Sequence, residues 1–506
     1  MITLKKNDNF FLELISWLFV LIPASFIIGP FFINSIITII VIIYLLVYFR
    51  KHILEINKSL LFFIKFFFVF NAYLFISSFL GETPFPSIFS SLSYLRYGFL
   101  ILAISFILEK NLYYLKYFFY ISFFSLIFLF YDVLLQFITN QNLLGTTNIS
   151  SDRFTGFFGE EQILGSFSVR FLPIILFLVN YFYFRNNNFF FQNLVISLII
   201  FLVLVSGERT SIFMLSIYII FFIIISKKIK LAVQIFFIFL ILFLFCTSYK
   251  QSLKKRFIDL TINQFSLTQN SNDKISFLSV RHENHIKTSL NIFKKNIFFG
   301  SGPNSFRYIC DYNKYSVKAE IYEAATFKSK FDGYLRLDLR EDHSQFYEHK
   351  MSSPTFLDIS GSIVDDNNNV LENFIIPWNS KIIHLNNKYI SKGQPIFVKN
   401  VPYENGCNTH PHNFVFQILA ELGIFGIIFY LFFLLRLFLV IFKNIYNLYF
   451  INKKIQNRNT LLLLGGLLIN FFPFLPTGGF FNGWLMTICL LPVGLLFFLN
   501  NKNIKK

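Results

Sequence analysis

The chain has 506 residues, of which 55% are apolar, 20% aromatic and 14% charged, with a formal charge of +18 at neutral pH. Soluble domains carry about 25% charged residues, and disordered chains combine low hydrophobicity with high charge. A mean hydropathy of +0.58 therefore excludes both classes and leaves a polytopic membrane protein.

A helix needs roughly 20 apolar residues to cross about 30 Å of hydrocarbon. In chain order such runs fall at 10–29, 31–49, 59–80, 88–108, 112–136, 163–184, 190–205, 209–226 and 231–248, and then at 413–442, 459–476 and 481–499. The expected fold is an α-helical polytopic membrane protein of about 12 transmembrane helices. Gly29-Pro30 and Ser206-Gly207 mark the two places where adjacent runs lie so close that one long helix is the alternative.

Lys and Arg accumulate at the cytoplasmic ends of spans. One set of alternate connections, from Lys5 and Lys6 through Arg50, Lys110, Arg185, Lys227 and Lys443 to Lys506, holds about eighteen cations; the opposite short connections hold only Arg153 and Arg209. Both termini are therefore expected in the cytoplasm and residues 249–411 on the opposite face. The basic balance is topological, and nucleic acid is not an expected partner. Lys5 and Lys6 precede an apolar run without a small-residue cleavage site, so the first helix reads as uncleaved.

Three regions follow: helices one to nine over 1–248, a large periplasmic loop over 249–411 and helices ten to twelve over 412–506. In the loop, Ile286, Leu290, Phe293 and Ile297 recur at helical spacing beside Arg281, His282 and His285. From about 311 to 406 the pattern turns strand-like, at Gly333–Leu339, Phe356–Ile363 and Lys381–Leu385, with Asn, Gly, Pro and Asp breaks. This predicts a small β-rich insert. Cys310 and Cys407 flank it and are disulfide candidates in an oxidising compartment, with two free thiols as the alternative.

A cation inside a span or on the outer side carries an insertion penalty of about 2–3 kcal/mol at the helix centre, so each needs a reason. Arg96, Arg170 and Arg209 lie in or at the outer part of spans, Arg153 in an outer loop, and Arg281 and Arg307 in the large loop. Arg209, in Ser206-Gly-Glu-Arg-Thr-Ser211, opens a helix, where a guanidinium and the first-turn N–H groups can face one anion; pairing with Glu208 is the other reading. Arg153 starts a loop leading into the sixth helix. Gly300-Ser-Gly-Pro-Asn-Ser-Phe306 lacks the Lys-Ser/Thr ending of a phosphate loop and reads as a turn.

The most specific stretch is Asn408-Thr-His-Pro-His-Asn-Phe, followed by Glu421-Leu-Gly-Ile-Phe-Gly426. His410 and His412 stand above the tenth span, Asn413 opens it, and Glu421 lies about two turns inside. No Asp, Glu or Cys follows the His-x-His pair at ligand spacing, so no metal is expected. An imidazole at a membrane boundary suits proton transfer.

These residues resemble the O-antigen ligase and O-antigen polymerase superfamily of bacterial envelope proteins, through Arg209 in Ser-Gly-Glu-Arg-Thr, Arg281 ahead of Gly300-Ser-Gly-Pro, and above all His410-Pro-His412-Asn413 with Glu421-Leu-Gly-Ile-Phe-Gly426. The resemblance spans roughly 150–310 and 405–445. Two departures are Glu160-Glu161-Gln162, where many relatives carry an Asn-rich stretch, and the β-rich insert, which points to added docking or specificity.

The resemblance implies a glycosyltransferase of the bacterial inner membrane that moves glycan from undecaprenyl pyrophosphate to an acceptor hydroxyl at the periplasmic face, without metal or cofactor. His412 would be the base, and Arg209 and Arg281 would bind the pyrophosphate. Arg153, Arg170, Arg96, His410, Asn413 and Glu421 would line the site. The implied partners are the lipid-linked glycan, an acceptor glycan or lipid A-core, and membrane lipids. A transporter or flippase for lipid-linked oligosaccharide is the alternative from another class, although the two halves lack the matched broken helices typical of transporters.

Overall fold

The computed structural model describes residues 6–53, 58–147, 153–183, 189–259, 280–312, 314–317, 325–328, 334–338, 358–364, 370–377, 406–450 and 454–504. Their helices are α1 (Lys6–Ile28), α2 (Pro30–Ile43), α3 (Phe49–Ile53), α4 (Lys58–Leu80), α5 (Pro84–Lys110), α6 (Tyr113–Thr139), α7 (Leu164–Tyr183), α8 (Phe189–Val205), α9 (Arg209–Ser226), α10 (Ile229–Tyr249), α11 (Gln251–Lys254), α12 (Val280–Lys295), α13 (Phe306–Ile309), α14 (Phe414–Phe450), α15 (Lys454–Asn470) and α16 (Gly483–Ile504). A π-helical turn, Tyr44–Tyr48, joins α2 to α3, and another, Lys255–Asp259, follows α11.

Each expected apolar run is largely helical, although the one at 459–476 stops being helical after Asn470. Gly29 and Pro30 separate α1 from α2, and the Ser206–Glu208 turn separates α8 from α9, so both close pairs are two helices. Among the described residues ten helices are long and apolar enough to cross a membrane, and α8 and α15 are shorter, at 17 residues each. This is a polytopic helical membrane protein.

The chain divides into two compact units: Met1–Ser276 with Phe293–Ser305 and His412–Lys506, and Phe277–Ile292 with Phe306–Pro411. In the first, α7 is buried along nearly its whole length, including Arg170. By contrast, α10 exposes Phe236, Phe237, Ile241, Leu244 and Phe245, as a lipid-facing helix does. Because lipid tails are as apolar as Leu, close packing rather than water exclusion holds such helices together, and small residues permit it. Gly465 and Gly466 of α15 admit Phe221 and Pro173, and Gly494 of α16 meets Ile104.

In the second unit, Cys310 and Cys407 form a disulfide with Cα atoms 5.0 Å apart. Gly406 beside it lies at φ +75°, where an added Cβ would strike Thr288 and Asn284 of α12. Four strands, β1 (Ala325–Lys328), β2 (Tyr334–Asp338), β3 (Asp358–Val364) and β4 (Val370–Pro377), form an antiparallel sheet in chain order. Phe327 pairs with Leu335, Leu337 with Gly361 and Gly361 with Phe374, and the register shifts at Ile363/Val364. The expected strand at Lys381–Leu385 lies outside the described residues.

Candidate active site

Within the first unit the singled-out residues fall into three groups. The first is built on the turn between α8 and α9. Gly207 sits at φ +65° and turns the chain, leaving Glu208 as the residue before α9. Its side chain makes no capping bond to α9. Instead its carboxylate accepts the Gly165 N–H at 2.9 Å, the Ser166 N–H at 3.1 Å and the Ser211 hydroxyl at 2.7 Å, tying the start of α7 to α9. Gly165 is required there, because a Cβ would strike the Ser206 and Ser211 hydroxyls.

Burial raises the Glu208 carboxyl above the ordinary carboxylate range, while the bonds from Ser211 and Gly165 and the charges of Arg170 and Arg153 pull it back. Arg170, 2% exposed, donates to the Ser166 carbonyl at 3.0 Å. Arg153 donates to the Gln162 side chain. Its loop is pinned by Gln136, whose side-chain oxygen accepts the Thr155 and Gly156 N–H groups at 3.2 and 2.8 Å.

Arg209, half-buried, opens α9 directly after Glu208. Its charged neighbour is Arg256, whose charge acts on it. Arg256 Nε donates to the Gly207 carbonyl, two residues before Arg209. Lys250, at the end of α10, donates to Asn140 at 2.8 Å and lies over the Phe137 and Phe154 rings. The charges of Arg170 and Arg153 thus act on the buried Glu208 carboxylate, and Arg256 reaches the same turn through Gly207.

The second group surrounds the start of α14. His412 is half-buried at φ +55°, and its carbonyl accepts the Thr477 N–H at 2.8 Å. Asn413 caps α14 through Val415 N–H at 2.9 Å and Phe416 N–H at 3.3 Å, and donates to the Pro473 and Leu475 carbonyls. A capped helix end and a bonded carbonyl hold His412 in a backbone region that few non-Gly residues adopt.

Glu421 is fully buried and accepts the Asn304 N–H at 3.0 Å and Gln417 Nε2 at 3.1 Å; Gln417 Oε1 in turn accepts the Phe480 N–H at 2.7 Å. These bonds fasten the 300–304 turn to α14. Gly423, at φ +65°, breaks α14 so that Ile424 N–H reaches the Ile297 carbonyl at 2.8 Å, and the Ser301 and Gly302 N–H groups bond the Ala420 and Glu421 carbonyls at 3.0 and 2.9 Å. The glycines at 300 and 423 thus serve close backbone approach.

Arg96 forms the third group. It donates to Asn34 Oδ1 at 2.8 Å and the Tyr97 hydroxyl at 3.0 Å, next to Gly483 at the start of α16. In the second unit, Arg281 has its backbone in α12 and its side chain outside the described residues, and His410 Nδ1 pairs with the Thr409 hydroxyl at 2.9 Å. Among the described residues no group of three His, Cys, Asp or Glu is arranged to hold a metal ion.

Sequence reasoning missed Arg256 and Gln417. Arg256 had a signal: Lys254-Lys255-Arg256 follows the ninth span on the side where the parity of charge disfavours cations. Gln417 had none, since its role depends on a chain segment 63 residues away.

No curated protein and no solved structure matches the chain. Residues 194–335, which include the Ser206–Ser211 turn, α9, Arg256 and Arg281, match the model of the O-antigen ligase family, in support of the resemblance to the O-antigen ligase and polymerase superfamily.

Proposed function

We propose that the chain is an inner-membrane glycosyltransferase that moves glycan from undecaprenyl pyrophosphate to an acceptor hydroxyl on the periplasmic face. The observation that carries this reading is the O-antigen ligase match over the segment containing Arg209, in a molecule that also holds His412 fixed at the start of a broken helix. The one-sided cation distribution supports the orientation.

In the reaction, the acceptor oxygen attacks the anomeric carbon and the bond from that carbon to the pyrophosphate oxygen breaks. The acceptor's proton passes to the His412 imidazole, a group whose usual pKa near about 6.5 suits this transfer. Undecaprenyl pyrophosphate leaves with the bonding pair, and Arg209 with the first-turn N–H groups of α9 stabilises the negative charge that develops on it. Arg offers a planar fork matched to phosphoryl oxygens. Because the donor's lipid stays in the bilayer, such an enzyme needs a helical bundle around its site.

The test is turnover by purified protein in lipid nanodiscs, with a labelled undecaprenyl-pyrophosphate-linked glycan. His412→Ala and Arg209→Ala should lose at least roughly a hundredfold in rate while keeping the wild-type elution profile; unchanged rates reject the assignment. Arg281→Ala belongs in the same series. Offering lipid A-core or a second lipid-linked glycan as acceptor separates ligase from polymerase by product.

A further inference from the structure

We infer that Gln417 is a positioning residue for the His412 imidazole, acting through the connection between α15 and α16. The inference rests on the proposed role of His412 as base and adds to it a residue that acts without touching substrate. The backbone of His412 lies at φ +55°, a region that residues with a side chain keep only where their surroundings enforce it. The 473–480 segment supplies that enforcement. The Thr477 N–H holds the His412 carbonyl at 2.8 Å. On one side of Thr477, Asn413 Nδ2 donates to the Pro473 and Leu475 carbonyls at 3.0 and 3.2 Å. On the other side, Gln417 Oε1 accepts the Phe480 N–H at 2.7 Å. The segment that bonds His412 is thus gripped at both ends by the first turns of α14.

The connection of Gln417 to His412 is mechanical. Gln417 is 1% exposed, so water competes little for its bonds, and a buried polar network of this kind rigidifies what it joins. Both ends of its amide are engaged: Oε1 with Phe480, and Nε2 with Glu421 at 3.1 Å, which in turn accepts the Asn304 N–H. Its main-chain N–H bonds the Asn413 carbonyl at 3.0 Å, which puts both grips on one helical turn. The Phe480 ring also meets the Phe414 ring edge-on, with centroids 5.3 Å apart. The φ angle and carbonyl direction of His412 set where its Cβ points, and a catalytic group displaced by about 1 Å can lose a hundredfold in rate. Loosening the 473–480 segment therefore acts on the imidazole.

The test is steady-state turnover by the full-length protein in nanodiscs with the labelled undecaprenyl-pyrophosphate-linked glycan. Gln417→Leu should lower kcat by about tenfold or more while the donor KM stays within about twofold. In the His412→Ala background the same substitution should change the residual rate by less than about twofold, because no imidazole is left to position. Tyr430→Phe removes a 2.7 Å bond to the Phe471 carbonyl of the same connection and should keep the wild-type kcat. Should Gln417→Leu fail to fold, as judged by thermal unfolding, Gln417→Met carries the same comparison. A wild-type kcat in the Gln417 variant, an equal fold-loss in both backgrounds, or a matching loss in Tyr430→Phe overturns the inference and leaves the proposed function standing. An unchanged rate in His412→Ala overturns the proposed base, and the inference with it.

Discussion

The buried carboxylate of Glu208 offers a demanding test, because several opposing contributions meet there. Glu208→Ala removes the acceptor for three donors, two from the start of α7 and one from Ser211. Hydrogen bonds to a charged group contribute about 1.5–3 kcal/mol each, and relief from burying a charge offsets part of that loss. A further contribution is Arg170, 98% of whose surface is covered and whose charge acts on the same carboxylate. Breaking a buried pair by removing one partner costs about 3–5 kcal/mol, because the other charge is left uncompensated. Glu208→Ala should therefore lose about 3–5 kcal/mol. Arg170→Met should lose less, since Glu208 keeps its three donors. Denaturant unfolding in mixed micelles, run as a double-mutant cycle, should give a double variant less destabilised than the sum by at least about 1 kcal/mol. Additivity within about 0.5 kcal/mol would refute the idea that the two charges depend on each other.

Other outcomes follow from the same geometry. Burial raises the Glu208 carboxyl, so the folded state keeps its proton to a higher pH than the unfolded chain does. The associated stability is complete below the unfolded glutamate value of about 4.3 and is lost as pH rises through the raised folded value; Glu208→Gln should flatten that part of the stability–pH curve, and an unaltered curve counts against it. Gly300 lies at φ +71° with a Cβ position that falls on the Glu421–Leu422 backbone, whereas Gly145, at φ +75°, faces open space. Gly145→Ala should lose only the backbone strain of about 1–2 kcal/mol and Gly300→Ala distinctly more, so equal shifts in unfolding midpoint would reject the docking of the 300–304 turn. Replacing Cys310 and Cys407 with Ser opens a loop spanning 97 positions, which should remove about 2–5 kcal/mol and make the insert more sensitive to limited proteolysis; an unchanged cleavage rate contradicts this.

The candidate site was readable in sequence only where membrane physics makes a residue conspicuous. Arg153, Arg170 and Arg209 stand out because a cation in or beyond a span is disfavoured, and the structure gathers all three around the Glu208 turn. Arg256 was hidden in a run that resembles an ordinary solvated cluster, and only the fold places its Nε on the Gly207 carbonyl. Glu421 was conspicuous as an ionisable residue inside a span, yet the bonds it accepts from Asn304 and Gln417 come from a turn more than a hundred residues earlier and from the preceding helical turn.

Sequence alone determined where the helices lie, because hydrocarbon thickness sets their length and unpaired backbone groups cannot face lipid. It also determined that Gly29-Pro30 and Ser206-Gly207 are plausible breaks, since glycine and proline lack what a continuing helix needs. Tertiary structure alone decided which polar side chains meet: that Glu208 reaches back to α7, that Arg256 stands beside Arg209, and that α14 breaks at Gly423 to receive the 297–302 backbone. The difference is physical. Span length is a local property of the chain in its solvent, whereas hydrogen-bond partners inside the bundle depend on how helices remote in sequence come to share one end.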